Sequence, residues 1–201
     1  MTDEREYEAR AAEVRHRTAN SFQLISALAR MRGQRSGEPE ARRQLLWIAD
    51  AIGALGALER HRCEGGVDFT AYLTEMSPVW SRRPGGEVSQ VAVAADPMTA
   101  ADQVASTLAL IAHELVANAL VHGCQGRHGR VEVRLTHLGD GRSELAVADD
   151  GPGFDPAAPQ TRERFGLWFV RSLAKQVRGE LDLSSGPGFC ARLVFPFADG
   201  R

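Results

Sequence analysis

Residues 110–122 read Leu-Ile-Ala-His-Glu-Leu-Val-Ala-Asn-Ala-Leu-Val-His and belong to the most apolar run of the chain. Their spacing predicts a buried amphipathic helix over residues 101–122. Glu114, Asn118 and His122 follow one another at intervals of four residues, so they share one helix face. A carboxylate and an amide oxygen on one face suit a hard cation such as Mg²⁺ together with phosphates. A zinc-protease interpretation fails because position 117, where the second histidine would stand, is alanine.

A second informative stretch, residues 147–154, reads Val-Ala-Asp-Asp-Gly-Pro-Gly-Phe. It predicts a strand that ends in the carboxylate of Asp149, followed by glycines at Asp-x-Gly-x-Gly spacing. Glycine allows the backbone to approach a ligand closely. A buried aspartate at a strand end can accept a hydrogen bond from an exocyclic amine such as that of adenine. Taken alone, the pattern is more often a plain turn.

Two further glycine patterns lie downstream. Gly166 opens a predicted helix over residues 165–178, where free backbone N–H groups and the positive end of the helix dipole could hold a phosphate. Residues 186–189, Gly-Pro-Gly-Phe, predict a turn before the last strand. Each pattern is weak by itself, and the order and spacing of all four segments carry the signal.

Composition narrows the class of protein. The chain has 201 residues, 43% hydrophobic and 25% charged, which is ordinary for a globular protein. Its 24 basic and 26 acidic residues give a net charge of −2, without the basic excess of nucleic-acid-binding domains. No signal peptide or membrane span is predicted, and three scattered cysteines fit a reducing compartment. We therefore expect a cytoplasmic protein without nucleic-acid or membrane partners.

The first 64 residues show no strand pattern and are rich in helix formers. Two helices are predicted over residues 4–32 and 40–62, separated by a turn with two glycines and a proline. The first helix carries an apolar stripe made of Phe22, Ile25, Leu28 and Ala29. A lone hairpin cannot cover such stripes, so we expect a homodimer in which two hairpins form a four-helix bundle.

Residues 65–201 alternate predicted helices and strands. Asp68 is a suitable N-cap for a helix over residues 69–76. Strands are predicted around residues 88–93, 131–135, 145–147, 181–183 and 191–197. Trp47, Trp80 and Trp168 are expected in the core or at an interface. The fold class is α+β: a helical hairpin, residues 1–64, followed by an α/β sandwich, residues 65–201, with a mixed, mostly antiparallel sheet.

The four segments together resemble the ATP-binding domain of sensor histidine kinases, within the GHKL ATPase superfamily, over about residues 88–197. The resemblance implies a Bergerat-type sandwich that uses ATP and Mg²⁺. It implies that Asn118 ligates Mg²⁺, Asp149 binds adenine, and Glu114 acts as a base or positions water. His122 would contact phosphate or simply cap its helix. The remaining nucleotide-binding residues would be Gly151, Gly153, Gly166, Leu167 and Gly188.

The first predicted helix contains Glu13-Val14-Arg15-His16-Arg17-Thr18-Ala19-Asn20. This segment resembles the phosphoacceptor helix of the subgroup reading Glu-x-x-His-Arg-x-x-Asn, related to the HWE kinases. In that family the histidine takes the phosphoryl group and the bundle dimerises. A neutral imidazole is a competent nucleophile near neutral pH, and Glu13 stands three residues before His16, within reach to orient or deprotonate it.

Several positions depart from the family pattern. Ala19 and Val121 stand where lysine is common, and Pro187 removes a hydroxyl and a backbone N–H. The segment between Phe154 and Phe165 is predicted to be a short lid. The departures remove groups that would contact phosphate. They leave Glu114, Asn118, Asp149 and His16 in place, so we predict ATP binding with slow autophosphorylation.

The sequence thus predicts a histidine kinase that autophosphorylates His16 from ATP and passes the phosphoryl group to an aspartate of a response regulator. Input would come from a separate sensor or activating protein. One alternative is a histidine phosphotransferase or pseudokinase that relays phosphate through His16 without efficient use of ATP. Another is an anti-sigma-type Ser/Thr kinase and binding module, which would not need His16.

Overall fold

The computed structural model describes residues 2–82, 90–124, 129–153, 165–186 and 188–197. Its helices are α1 (Thr2–Arg35), α2 (Pro39–Leu58), α3 (Phe69–Ser81), α4 (Asp102–Asn118) and α5 (Phe165–Gln176). A 3₁₀ turn (Glu59–His61) follows α2, and a π-helical turn (Ala119–Gly123) follows α4. The strands are β1 (Arg62–Cys63), β2 (Gly66–Asp68), β3 (Gln90–Ala95), β4 (Thr99–Ala100), β5 (Arg130–His137), β6 (Arg142–Asp149), β7 (Glu180–Gly186) and β8 (Gly188–Pro196).

The main sheet has five strands in the order β3-β5-β6-β8-β7. β3 pairs with β5 in parallel, and the other three pairs are antiparallel. This arrangement confirms the predicted α+β class with a mixed, mostly antiparallel sheet. In the register, Asp149 is opposite Val131 on one side and Phe189 on the other. The end of β6 therefore lies in the middle of the sheet.

The hydrophobic core lies between the sheet and α4. Leu108, Ile111 and Leu115 of this helix are fully buried and belong to one cluster with Val133 and Val147 of the sheet. The stretch Asp102–Gly123 is long and apolar enough to cross a membrane by length and composition alone. However, 61% of its most apolar 18-residue segment is buried inside the protein. Its packing is that of a core helix, as the sequence predicts.

α1 and α2 form the predicted hairpin. The residues of α1 that are buried there are small: Ala19, Ser26 and Gly33. Ser26 Oγ donates a hydrogen bond of 2.7 Å to the Ala49 carbonyl, and a Cβ at Gly33 would lie 3.2 Å from Leu45 Cβ. Small side chains let the two backbones approach closely.

The predicted apolar stripe of α1 is split between two faces. Phe22 and Ala29 are half-buried, whereas Ile25 and Leu28 point outward with 48% and 53% of their surface exposed. The outward face continues with Leu24 and Met31, at 63% and 52%. The outward apolar stripe of α1 therefore consists of Leu24, Ile25, Leu28 and Met31.

Several boundaries differ from the predictions. α2 ends at Leu58, before the predicted end at residue 62, because the chain turns into β1. α3 continues past Pro78 to Ser81, five residues beyond the predicted end. The small sheet β1-β2-β4 was not predicted, since strands of two or three residues show no periodicity. The predicted domain boundary between residues 64 and 65 falls between β1 and β2 and stays a prediction. Val88, Pro187 and residues 154–164 of the predicted lid lie outside the described residues.

Candidate functional site

Glu114 and Asn118 lie side by side on α4, as the four-residue spacing predicts. Asn118 Nδ2 donates a hydrogen bond of 2.9 Å to Glu114 Oε1. The second carboxylate oxygen, Oε2, accepts a hydrogen bond of 2.6 Å from the indole Nε1 of Trp47 in α2. Glu114 is 6% exposed. Two donors from different elements thus satisfy a buried carboxylate that would otherwise be costly to bury.

The start of α5 packs directly on this pair. A Cβ at Gly166 would lie 1.9 Å from Glu114 Oε1 and 3.3 Å from Asn118 Nδ2. Only glycine allows α5 to begin here without displacing the carboxylate. The neighbouring Leu167 is buried, which anchors this helix end to the core.

Asp149 ends β6 with a buried side chain, 8% exposed. Its Oδ1 accepts a hydrogen bond of 2.8 Å from the Gly151 N–H. A Cβ at Gly123 would lie 2.4 Å from Asp149 Cγ, and one at Gly151 would lie 2.5 Å from Gly123 Cα. The carboxylate is therefore packed against two stretches of bare backbone, and a side chain at either glycine would displace it.

Gly188, from the last glycine pattern, also lies beside Asp149. Gly188 has φ +105°, and a Cβ there would lie 2.1 Å from the Asp149 carbonyl oxygen. Gly153 has φ +72° and would place a Cβ 2.8 Å from the Gly186 carbonyl oxygen. Both positions need glycine for conformation and for space. All four sequence segments thus meet in one site.

His122 lies in the π-helical turn that ends α4 and is exposed. The predicted helix over residues 101–122 changes here from α to π, and the Cys124 N–H donates to the Ala119 carbonyl at 3.0 Å. Such turns are often found at functional sites. Phosphate contact and helix capping both stay open for His122.

The site fits an adenine nucleotide with a divalent cation. Asp149 offers a buried carboxylate to an exocyclic amine, and the amide of Asn118 turns its nitrogen to Glu114. Among the described residues, the Asn118 amide oxygen accepts no hydrogen bond, so it is available to a cation. Mg²⁺ held by Asn118 would neutralise phosphate charge there.

His16 is exposed on α1, which suits a phosphoacceptor. Its Nδ1 lies 3.4 Å from Asn20 Nδ2. Glu13 does not bond the imidazole: its Oε1 lies 2.6 Å from Arg17 Nη2. The pairing follows the i, i+4 geometry of a helix, which brings Glu13 closer to Arg17 than to His16. The predicted role of Glu13 stays a prediction.

His16 and Glu114 lie far apart along the hairpin. Arg30 of α1 pairs with Asp50 of α2 at 2.5 Å, so Trp47, which holds Glu114, lies at about the level of Arg30. At about 1.5 Å per residue, the stretch of α1 from His16 to Arg30 is about 20 Å long. The structure therefore brings the four motif segments together but does not place them at His16.

His113, beside Glu114, is also held by an indole. Trp80 Nε1 donates to His113 Nδ1 at 3.3 Å. Burial lowers the pKa of His113, and the carboxylates of Asp50 and Glu114 raise it in part. The ring is therefore neutral at physiological pH and can accept the indole hydrogen bond.

Two residues of the site were not predicted. Trp47 was expected only in the core or at an interface, because nothing in the sequence connects α2 with α4. Gly123 directly follows the helix stretch, and a glycine just past a helix indicates only a cap. Its contact with Asp149 is visible only in three dimensions.

The comparisons with known proteins agree with this geometry. Residues 103–199 match the family model of histidine kinase-, DNA gyrase B-, and HSP90-like ATPases. Blue-light-activated histidine kinase 2 of Erythrobacter litoralis is 25% identical over 194 residues, covering 90% of this chain and 55% of that protein. An uncharacterized sensor-like histidine kinase of Chloroflexus aurantiacus is 33% identical over 97 residues, covering 46% of this chain and 16% of that protein.

A solved structure extends the likeness to the whole chain. The histidine kinase domain of a blue-light-activated histidine kinase from Erythrobacter litoralis superposes with a TM-score of 0.69 at 23% identity, covering 98% of this chain and 95% of that one. This match shows the fold. The chain spans about half the length of the first curated relative and less than a fifth of the second. Residues 103–199 are thus similar to the histidine kinase-, DNA gyrase B-, and HSP90-like ATPases, and both curated relatives carry the name histidine kinase.

Proposed function

We propose that the protein is a cytoplasmic histidine kinase that phosphorylates His16 from ATP and passes the phosphoryl group to an aspartate of a response regulator. The observation that carries the proposal is the meeting of all four motif segments in one site. Gly166 lies against Glu114, Gly123 and Gly188 lie against Asp149, and Asn118 bonds Glu114. The exposed position of His16 supplies the acceptor.

The proposed reaction moves the γ-phosphoryl group from an oxygen of ATP to a nitrogen of His16. A lone pair of the His16 imidazole attacks the γ-phosphorus, the bond from that phosphorus to the β,γ-bridging oxygen breaks, and ADP leaves. The ring proton passes to a carboxylate, for which Glu114 is the candidate. Asn20 lies beside Nδ1, so Nε2 is the candidate nucleophile. In the second step a receiver aspartate attacks the phosphohistidine, and the phosphorus–nitrogen bond breaks.

Binding roles follow the site geometry. Asp149 would bind the adenine amine, with Gly151 and Gly123 forming the surface beneath the base. Asn118 would hold Mg²⁺, which lowers the charge on the phosphates. Gly153, Gly166, Leu167 and Gly188 would shape the pocket through backbone approach and helix-end packing, and His122 is the candidate phosphate contact.

The separation of His16 from Glu114 has a consequence for the reaction. Either the ATP-binding domain moves along the hairpin, or it acts on His16 of a second copy. The outward apolar stripe of α1 supports a homodimer, because burying a leucine contributes about 1.5–3 kcal/mol. The activating signal would reach the protein from a separate sensor or partner.

One observation favours the alternative of a phosphotransferase that uses ATP poorly. Both oxygens of Glu114 already accept hydrogen bonds, from Trp47 and Asn118. These contacts hold the carboxylate beside Trp47 and away from His16. Together with alanine and valine at positions 19 and 121, this contact would slow ATP-dependent labelling.

The test is incubation of the protein with Mg²⁺ and γ-labelled ATP beside His16→Ala, Asn118→Ala and, as a control in the same helix as His16, Gln34→Ala. The proposal expects acid-labile, base-stable label in the wild type and in the control, and none in the other two. Absence of label in a folded wild type that binds ATP would favour the phosphotransferase. Acid-stable label, or label that persists in His16→Ala, would favour the Ser/Thr kinase.

A further inference from the structure

Trp47 joins the hairpin to two parts of the nucleotide site. Its indole N–H donates to Glu114 Oε2 at 2.6 Å. Its ring also packs edge-on against Phe169 in the first turns of α5, with ring centroids 5.0 Å apart. One side chain of α2 therefore holds the carboxylate of α4 and the helix that begins at Gly166.

Two clefts that open to solvent lie where the hairpin meets the ATP-binding domain. One, of about 430 Å³, is lined by Phe22 and Leu55 of the hairpin and by Leu110 and Leu173. The other, of about 790 Å³, lies towards the far end of α1, between Arg15 and Asp102 at the start of α4. The hairpin and the ATP-binding domain therefore touch over only part of the surfaces that they turn to each other.

The docked position is incompatible with transfer to His16 of the same chain. Glu114 lies beside Trp47, about 20 Å along the hairpin from His16, and both of its oxygens accept hydrogen bonds. Glu114 can reach His16 of the same chain only if the ATP-binding domain moves along the hairpin, and that movement breaks the hydrogen bond from Trp47.

We infer that Trp47 is a positioning residue that holds the ATP-binding domain in a resting position on the hairpin through its hydrogen bond to Glu114, and that release of this bond precedes phosphorylation of His16 in the same chain. The inference rests on the proposed histidine kinase function. It makes Trp47 a brake on the reaction, so removing its N–H should speed labelling.

The first experiment compares initial rates of labelling from Mg²⁺ and γ-labelled ATP. Trp47→Phe keeps a ring against Phe169 but loses the N–H donor. Trp80→Phe is the matched control, because it loses an indole hydrogen bond to His113, next to Glu114, and leaves Glu114 itself untouched. Because a hydrogen bond to a charged group shifts an equilibrium by about tenfold or more, we expect Trp47→Phe to label about tenfold faster and Trp80→Phe to show no increase.

The second experiment detects the bond without activity. The full chain has three tryptophans, so ¹⁵N labelling gives three indole N–H signals, assigned by single Trp→Phe variants. The Trp47 proton should resonate furthest downfield and move upfield in Glu114→Gln, because a neutral amide is a weaker acceptor than a carboxylate. A Trp47 signal that does not respond to Glu114→Gln would overturn the inference.

The outcomes separate the two proposals. If the wild type is labelled and Trp47→Phe is labelled no faster, the inference is wrong and the kinase proposal stands. If neither protein is labelled although both bind ATP, the kinase proposal is wrong and the inference fails with it. Faster labelling of Trp47→Phe alone, with a responsive Trp47 signal, supports both.

Discussion

The helices α1 and α4 bury their surfaces by opposite means. α4 places large side chains, such as Leu108, Ile111 and Leu115, wholly inside the core. α1 turns small residues to its partner helix and leaves Leu24, Ile25, Leu28 and Met31 half exposed or more. A helix of the first kind is complete within its own chain. One of the second kind leaves apolar area that a second copy can cover.

The hairpin and the candidate site also differ in the space around their glycines. In the hairpin turn, nothing lies within 4 Å of a Cβ at Gly37. At the nucleotide site the same methyl group would meet a functional oxygen at Gly166 and a carboxylate carbon at Gly123. The hairpin therefore tolerates change at its turn, whereas the site depends on the absence of side chains. Four predictions test this comparison.

The largest effect is expected for Gly166→Ala. Its methyl group would lie 1.9 Å from Glu114 Oε1, so α5 or the carboxylate must move, and displacements of this size cost about a hundredfold in function. We expect ATP affinity to fall by at least that factor in a fluorescent-nucleotide titration, while Gly37→Ala binds like the wild type. Equal binding by both variants would show that the site is less crowded than the structure indicates.

Substitutions on the outward stripe of α1 should weaken dimerisation and leave ATP binding unchanged. Placing lysines at Leu24 and Leu28 removes apolar area from the outward stripe, and each leucine contributes about 1.5–3 kcal/mol when buried. We expect the dimer dissociation constant to rise about a hundredfold in analytical ultracentrifugation, with ATP affinity unchanged. Gln34→Lys adds a charge to the same helix outside the stripe and should leave the dimer intact. A double variant that stays dimeric would assign the interface to another surface.

Adjacent aspartates at the end of β6 give a sharper test of the site. Asp149 is buried and bonded by the Gly151 N–H, whereas the exposed Asp150 accepts from the Arg130 N–H at 3.0 Å. Asp149→Asn replaces the acceptor oxygens with an amide, so we expect ATP affinity to fall about tenfold, the value of a hydrogen bond to a charged group. Asp150→Asn is the control and should bind ATP normally in the same titration.

The smallest effect concerns acid stability. Burial lowers the pKa of His113 below its ordinary value of 6.5. As pH falls below that value the unfolded chain binds a proton that the folded chain does not, so the free energy of unfolding decreases, by at most about 1.4 kcal/mol per pH unit. The decrease stops below the folded pKa. Urea unfolding at about pH 7.5 and about pH 5.5 should show a smaller difference for His113→Gln than for the wild type.

The sequence predicts which side chains of the candidate site lie together where their contact depends on local spacing. Glu114 and Asn118 are fixed by one helix turn, and Asp149 and Gly151 by one strand end. Trp47 and Gly123 act through contacts between elements distant in sequence, which spacing does not contain. The main sheet was predictable from alternation, whereas β1, β2 and β4 are too short to alternate.

The hairpin was predicted as an element but not in its packing. The apolar pattern of α1 does not predict which face packs on α2, and Ala19, Ser26 and Gly33 are the residues buried there. Close backbone approach between helices favours small side chains, which a search for apolar residues overlooks. The sequence also did not predict that α3 continues past Pro78, because proline usually ends or kinks a helix.

The π-helical turn after α4 makes the number of residues as important as their identity. Such a turn holds one residue more than a regular helical turn. Inserting one more residue beside Val121, which is 57% exposed, would rotate the following residues by about 100° about the helix axis. Gly123 would move away from Asp149, although every residue of the four segments would still be present. A chain one residue longer here would keep all four motifs and lose the contact between Gly123 and Asp149.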